Sequence, residues 1–294
     1  MALYAPMDGL VTVAALQLDY KPRETRAMRI DRVLQELDRA PSADLIVLPE
    51  LWDVGYFAFD DYMREAQPIE EGPALGLANV AASRGCTIVG TVLERDNERL
   101  HNTTVVVGPH GIAGTYRKHR LFRHESREGE LLSPGSTGPA VVETTVGLLG
   151  LATCFELRFP EHFATLRQNA ADIFVVPAAW PLARLLHWRT LVQARAIEGQ
   201  TPVVAVNGTG LCVDVELAGC SLIVDARGAV LAHAGRSPGW LTAFIDRADT
   251  RAWRTDFPMY EDGPTKARDA FRGVDIGTPN DEPLAKPSRP DDER

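Results

Sequence analysis

The 294-residue chain is 45% hydrophobic and 24% charged, and 40 Asp and Glu against 31 Lys and Arg leave a formal charge of −9. These proportions exclude a disordered or collagen-like polymer. The acidic balance argues against nucleic acid or an anionic membrane as partner, since both select a basic face. A chain of this length buries enough surface to fold without staples, as one large domain or two modest ones. Cys86, Cys154, Cys212 and Cys220 are too few and too scattered for a disulfide scaffold, and predict reduced thiols in a cytoplasmic protein. The opening MALYAPMDGL has no basic region followed by an apolar stretch, so no secretion signal is expected there. No apolar run reaches the roughly 18 residues of a membrane span.

In chain order, Leu10–Leu18 reads as a strand and Glu24–Arg39 as an amphipathic helix with Met28, Ile30, Val33 and Leu34 near one face. Leu45–Leu48 reads as a buried strand stopped by Pro49. Pro73–Ser83 reads as a helix, and Gly85 fits the left-handed position that ends one. Strands are expected at Thr87–Glu94, Thr103–Val107 and Ile112–Tyr116, the last two joined by a turn over Gly108–Gly111. Residues 117–140 are charged, rich in Gly and Pro, and irregular, which inside a compact chain marks function or disorder. Val146–Thr153 is nearly continuous in apolar residues and predicts a strand covered on both faces.

A helix over Pro160–Ala170, a strand at Ile173–Val176 and a helix over Leu185–Glu198 follow. Further strands are expected at Val203–Val206, Ser221–Val224, Val230–Ala232 and Trp240–Ile245. From Gly273 the chain is rich in Pro and charge without periodicity, so 273–294 reads as an extended or disordered tail and 1–272 as a single domain. No solenoid repeat is present. Interleaved strands and helices predict an α/β protein, and the hairpin-like pairs predict mixed sheets.

Ligands of open α/β sheets bind at the carboxyl ends of strands. Two such ends carry reactive groups: Asp44–Pro49 delivers the carboxylate of Glu50, and Gly147–Thr153 delivers the thiol of Cys154 just before a predicted helix. A helix N-terminus and a nearby ammonium both lower a thiol's pKa. Lys118, just after a strand and ahead of the irregular segment, is the candidate ammonium, with Glu125, Glu128 and Glu130 shortly downstream. Taken singly, each has an ordinary alternative: a packed cysteine, a helix-capping acid, a solvated basic cluster.

Together, Glu50 in LPELWDVGYF, Lys118 in YRKHRLF and Cys154 in LATCFELRFPE resemble, in order and spacing, the three signatures of the nitrilase superfamily of carbon–nitrogen hydrolases. The resemblance spans roughly residues 10–255. It implies a four-layer αββα sandwich, a Glu-Lys-Cys triad, and pairing of subunits into a homodimer or a higher even-numbered oligomer. It also implies that Glu50 acts as general base, Cys154 as nucleophile, and Lys118 with the backbone N–H of Phe155 as oxyanion donors, with no metal or cofactor. The family places a second glutamate shortly before a Pro-Gly. Glu128, six residues ahead of Pro134, fits best, with Glu125 and Glu130 as rivals.

The CFELRFPE segment is similar to that of Nit-type amidases, and Val176–Trp188 to that of omega-amidases, which deaminate the terminal amide of 2-oxo acids. An anionic substrate needs a guanidinium. Arg158 and Arg184 are available, although Arg158 could instead pair with Glu156 or Glu161, and Tyr56, Phe155 and Trp180 would line the pocket. Two departures from the family pattern stand out: Lys118-His119-Arg120 moves the imidazole by one position, and Asp225-Ala226-Arg227-Gly228 lacks a proline. The expectation is therefore a thiol amidohydrolase acting on a small amide. A nitrilase or N-carbamoyl hydrolase with the same triad, and a catalytically silent scaffold, are the alternatives. A metal-dependent phosphoesterase would need clustered ligands that the seven histidines do not form in sequence.

Overall fold

The computed structural model describes residues 9–21 and 23–260. In chain order the first part comprises β1 (Leu10–Gln17), β2 (Asp19–Tyr20), α1 (Arg26–Asp38), β3 (Leu45–Val47), α2 (Tyr62–Glu65), α3 (Pro73–Arg84), β4 (Thr87–Asp96), β5 (Arg99–Gly108) and β6 (Gly111–Arg117). A short α4 (Glu128–Leu131) and β7 (Val141–Thr144) lead into β8 (Gly147–Leu151), α5 (Pro160–Gln168), β9 (Ile173–Ala178), α6 (Leu185–Gly199) and β10 (Val203–Asn207). Then follow β11 (Thr209–Cys212), β12 (Val215–Ala218), β13 (Leu222–Val224), β14 (Val230–His233), β15 (Gly239–Asp246) and α7 (Arg247–Asp256).

Two six-stranded sheets result, ordered β15-β1-β3-β4-β5-β6 and β14-β13-β10-β9-β8-β7, with a small sheet β12-β11-β2 beside them. Each large sheet is mixed. A parallel trio (β1-β3-β4 or β8-β9-β10) is flanked by antiparallel strands. Alternation along the strands sorts the apolar side chains into layers. From β1, Val11, Val13 and Ala15 meet Leu149, Leu151, Val175 and Val204 of the other sheet. Ala14 and Leu16 face the opposite way, toward Val33 and Leu37 of α1 and Leu77 of α3. Beyond the second sheet, Phe174 and Val203 pack against Phe163 of α5 and Val192 and Ala196 of α6. Helix, sheet, sheet and helix thus stack as the expected αββα sandwich.

The helix caps follow local chemistry. Thr25 accepts the N–H of Met28 at 3.3 Å at the start of α1, and Gly85 takes φ 67° to close α3. The predicted apolar face of α1 is offset. Met28 is 58% exposed, and the buried positions are Arg29, Val33 and Leu37. Arg29 can occupy that face because Glu24 pairs with it at 3.0 Å.

The predicted strand Val146–Thr153 is shorter. Val146 N–H bonds Thr144 Oγ1 in the β7–β8 turn, and Thr153 N–H is drawn away to Glu156. The irregular segment 117–140 holds α4 and ends at β7, neither of which the sequence signalled. The hairpin β11–β12 and α7 were also unpredicted. The hairpin strands are four residues each, too short for a clear alternation, and Gly210 interrupts the first.

The described residues up to Arg254 form one compact unit, and those from Thr255 belong to a second. The predicted tail at 273–294 and the domain end at 272 lie outside the described residues. Among the described residues no helix is long and apolar enough to cross a membrane.

Candidate active site

Glu50 follows β3 and Pro49 and is fully buried. Its backbone is pinned at both ends: its N–H reaches Ala178 O at 3.3 Å, and its carbonyl accepts the Tyr20 hydroxyl at 2.8 Å. Lys118 leaves the end of β6, its N–H donating to Asn102 O of β5 at 2.8 Å. Its Nζ donates to Glu50 Oε1 at 2.8 Å and to Glu128 Oε1 and Oε2 at 2.8 and 3.0 Å. Glu128 opens α4, wholly buried, and its Oε2 also accepts from Phe122 N at 2.6 Å and the Tyr56 hydroxyl at 3.1 Å.

Of the three candidate second glutamates, Glu128 alone reaches Lys118. Glu125 is an exposed partner of Arg184 at 2.6 Å, and Glu130 pairs loosely with Arg127 at 3.8 Å.

Cys154 begins a 3₁₀ turn, Cys154–Arg158, in the left-handed region at φ 46°. A non-glycine residue there stores about 1–3 kcal/mol of strain. Leu51, directly after Glu50, has the same property at φ 42°. The turn is held by Glu156, whose Oε2 accepts Thr153 N at 2.8 Å. Its Oε1 accepts the Tyr116 hydroxyl at 2.6 Å, His119 N at 2.8 Å and Arg120 N at 3.1 Å. One buried carboxylate thereby ties the cysteine turn to the segment carrying Lys118. The predicted α-helix starts six residues later, at Pro160, so Cys154 does not sit at its N-terminus.

The electrostatics also differ from expectation. Burial pushes the Cys154 thiol well above its usual range, and the neighbouring Glu50 carboxylate adds to this, outweighing Lys118. The thiol is therefore protonated at rest. Burial likewise raises the Glu50 pKa despite its contact with Lys118, and repulsion from the like-charged Glu128 adds to the rise. For Lys118, burial opposes the charge, but Glu128, Glu50 and Cys154 together hold its pKa well above that of an ordinary lysine. Glu50 and Cys154 interact side chain to side chain.

Arg158 has no carboxylate partner among the described residues, so neither of the ion pairs considered for it forms. Its guanidinium lies 4.6 Å above the Trp180 ring, and its two terminal nitrogens sit 3.3 and 3.4 Å from His187 Nδ1. Burial and Arg184 lower its pKa, while Cys154, close enough to be felt when it ionises, works the other way. Arg184 stacks on Phe122 at 5.7 Å and gives its charge to Glu125. Phe155 packs between Phe122 and Phe159 at 5.1 and 5.3 Å. Trp180 is buried against Trp188 at 5.5 Å, and Tyr56 is buried with its hydroxyl on Glu128 and Ser126. His119, in the displaced motif position, bonds Gly135 O through Nδ1 at 2.9 Å.

Two members of the cluster went unread in the sequence. Glu156 entered the sequence reading only as a possible partner of Arg158. Asn102 donates to Glu50 Oε1 at 2.8 Å and Glu128 Oε1 at 3.2 Å. The available signal was the polar run His101–Thr104 inside a central apolar strand, all four residues being buried. Among the described residues, no group of three or more His, Cys, Asp or Glu is arranged to hold a metal ion.

Comparison with known proteins identifies the family. The carbon–nitrogen hydrolase family profile matches residues 12–255. The chain belongs to the carbon–nitrogen hydrolase family. It is 35% identical over 268 residues to a 2-oxoglutaramate amidase of Paenarthrobacter nicotinovorans, covering 88% of this chain and 91% of that one. It is 37% identical over 259 residues to a 2-oxoglutaramate amidase of Bacillus subtilis, covering 85% and 96%. Among solved structures it is similar to Nit3 of Saccharomyces cerevisiae, of branch 10 of the nitrilase superfamily, with a TM-score of 0.78, 26% identity and coverage of 86% and 96%. The resemblance seen in the three motifs, and the sandwich it implied, are borne out.

Proposed function

We propose that the protein is a thiol amidohydrolase that releases ammonia from small linear amides bearing a carboxylate, through a thioester on Cys154. The observation that carries this is the meeting of Glu50, Lys118 and Cys154, up to 104 positions apart in sequence, in one buried cluster. An amide carbonyl is a poor electrophile, so the nucleophile must be activated at the moment of attack. Glu50 takes the thiol proton as Sγ attacks the carbonyl carbon. The oxygen gains charge, and Lys118 Nζ and the Phe155 N–H stabilise it.

Collapse of the adduct breaks the C–N bond, and the proton held by Glu50 leaves with ammonia. The free Glu50 carboxylate then takes a proton from water, whose oxygen attacks the thioester. The thiolate departs, the acid is released, and the proton returns to sulfur. A raised Glu50 pKa makes its carboxylate a stronger base for this exchange. Glu128 holds Lys118 in place throughout.

Arg158 supports a carboxylate-bearing substrate. It is cationic, fixed by Trp180 and His187, within electrostatic reach of Cys154, and without an acidic partner among the described residues. The relatives' names favour the amide of a 2-oxo dicarboxylic acid such as 2-oxoglutaramate. The four free, buried thiols suit the cytoplasm. Pairing into a homodimer is part of the same proposal, and Leu186 and Ile197 of α6, 75% and 50% exposed, are apolar side chains available to such a contact.

The test is ammonia release from 2-oxoglutaramate, an aliphatic nitrile and an N-carbamoyl amino acid assayed side by side, with mass spectrometry for an acyl group on Cys154. The expected result is turnover of the amide with a trapped adduct. Preference for the nitrile or the carbamoyl compound, or no turnover of any, overturns the assignment.

A further inference from the structure

The mechanism gives Asn102 no task, yet it sits at the centre of the cluster. It is 1% exposed. Its Nδ2 carries two hydrogens, one directed to Glu50 Oε1 at 2.8 Å and one to Glu128 Oε1 at 3.2 Å. Its Oδ1 is buried with no hydrogen-bond partner among the described residues. Turning the amide over would set Oδ1 against two carboxylate oxygens, so the charges fix its orientation.

We infer that Asn102 is a positioning residue for the hydrolysis: together with Lys118 it saturates Glu50 Oε1 and directs proton exchange with Cys154 to Glu50 Oε2. Oε1 already accepts Lys118 Nζ and Asn102 Nδ2, each at 2.8 Å, so a proton there must displace one of them. Oε2 accepts the Ala179 N–H at 3.0 Å, and the same N–H interacts with the Cys154 sulfur. Oε2 therefore lies on the sulfur's side. The inference rests on the amidase assignment only for what is exchanged, not for which oxygen does it.

The charge balance points the same way. The groups facing the Glu50 carboxylate are Lys118, Glu128 and Cys154, with Tyr56 beyond, while Tyr20 holds its backbone. Two carboxylates against one ammonium leave one excess negative charge when both are ionised. The Asn102 amide is a neutral dipole donating to both at once. Without it the monoanionic Glu50–Cys154 pair is less stabilised and takes up a proton at higher pH.

The experiment compares wild type, Asn102→Ala and the near-isosteric Asn102→Asp. One arm follows alkylation of Cys154 by iodoacetamide against pH, read on the Cys154 peptide by mass spectrometry. The other follows the pH profile of kcat/KM for ammonia release. In both arms the acid limb is expected to move up by about one pH unit in Asn102→Ala, and at least as far in Asn102→Asp. The kcat should fall roughly 10- to 100-fold with KM nearly unchanged. Should Asn102→Ala fail to fold, Asn102→Asp decides. A wild-type acid limb in Asn102→Asp overturns the inference. A shifted alkylation limb in a protein whose wild type releases no ammonia overturns the amidase assignment instead and leaves the role of Asn102 standing.

Discussion

Val47-Leu48-Pro49-Glu50 and Val175-Val176-Pro177-Ala178 close β3 and β9, the middle strands of the two parallel trios. Matching strand pairings align Val47 with Val175 and Val13 with Leu149, so Glu50 corresponds to Ala178 and Leu18 to Cys154. At the middle strand the first half carries an acid and the second a small apolar residue. At the neighbouring strand the first half carries a core leucine and the second a thiol. The strand ends still meet, Glu50 N on Ala178 O and Ala179 N on Glu50 Oε2. One strand plan is used twice, but each half places its reactive group at a different end. The acid and the sulfur therefore face each other across the sandwich without competing for one position.

The sharpest way to break this comparison is to cut both members of one equivalent pair. Cys154→Ala should abolish ammonia release while leaving the melting temperature within a few degrees of wild type, since the side chain loses only its sulfur. Leu18→Ala, in the core under the helices, should cost about 2–5 kcal/mol in urea unfolding while the folded fraction keeps its kcat. If Cys154→Ala turns over amide, or Leu18→Ala loses kcat without losing stability, the division of labour between the halves is wrong.

The first half's buried charges give the next largest effect. Lys118→Met leaves Glu50 and Glu128 buried without their cation, a loss of about 3–5 kcal/mol at neutral pH. The sign of its pH dependence is fixed. Lys118 has a folded pKa above its unfolded one, so its contribution is complete below the ordinary lysine value and drains away as pH rises through the folded value. In the variant, acid protonates the two stranded carboxylates, so the deficit against wild type should shrink as pH falls. A deficit that stays constant from neutral to mildly acidic pH would falsify the view that charge rather than packing is lost.

A kinetic prediction follows from Glu50. Its pKa is raised, chiefly by burial, and only the carboxylate can accept the thiol proton. Activity should therefore fall on the acid side with a midpoint above the ordinary glutamate value of about 4.3. A midpoint at or below that value, read from kcat/KM against pH, removes Glu50 as the base.

What the sequence revealed follows the same division. The duplicated scaffold was largely legible, because buried parallel strands are continuous apolar runs such as Leu45–Leu48 and Ile173–Val176, and Gly85 announces a helix end. Glu50, Lys118 and Cys154 stood out as polar exceptions at strand ends. Asn102 and Glu156 did not, because Asn102 works through hydrogen bonds to residues 26 and 52 positions away, and Glu156, beyond its local bond to Thr153, to residues 36–40 positions away, which local spacing cannot express. The thiol's raised pKa was hidden for a similar reason. Burial dominates it, and burial belongs to the packed sandwich rather than to the LATCFELRFPE segment.

The smallest effect separates the two arginines, both on the second half's side. Among the described residues Arg158 pairs with no carboxylate, whereas Arg184 spends its charge on Glu125, whose side chain is 65% exposed. A lost charge-assisted bond raises KM roughly 10- to 100-fold, so Arg158→Ala should do this for a carboxylate-bearing amide and leave a neutral amide unaffected. Arg184→Ala removes an exposed, solvent-screened pair and should change KM less than about fivefold. The neutral amide is the control that gives the comparison its force, because a pocket merely distorted by the loss of Arg158 from the Trp180 ring would handle both substrates poorly. Equal KM increases for the two amides, or a larger effect at Arg184, would move the carboxylate site away from Arg158.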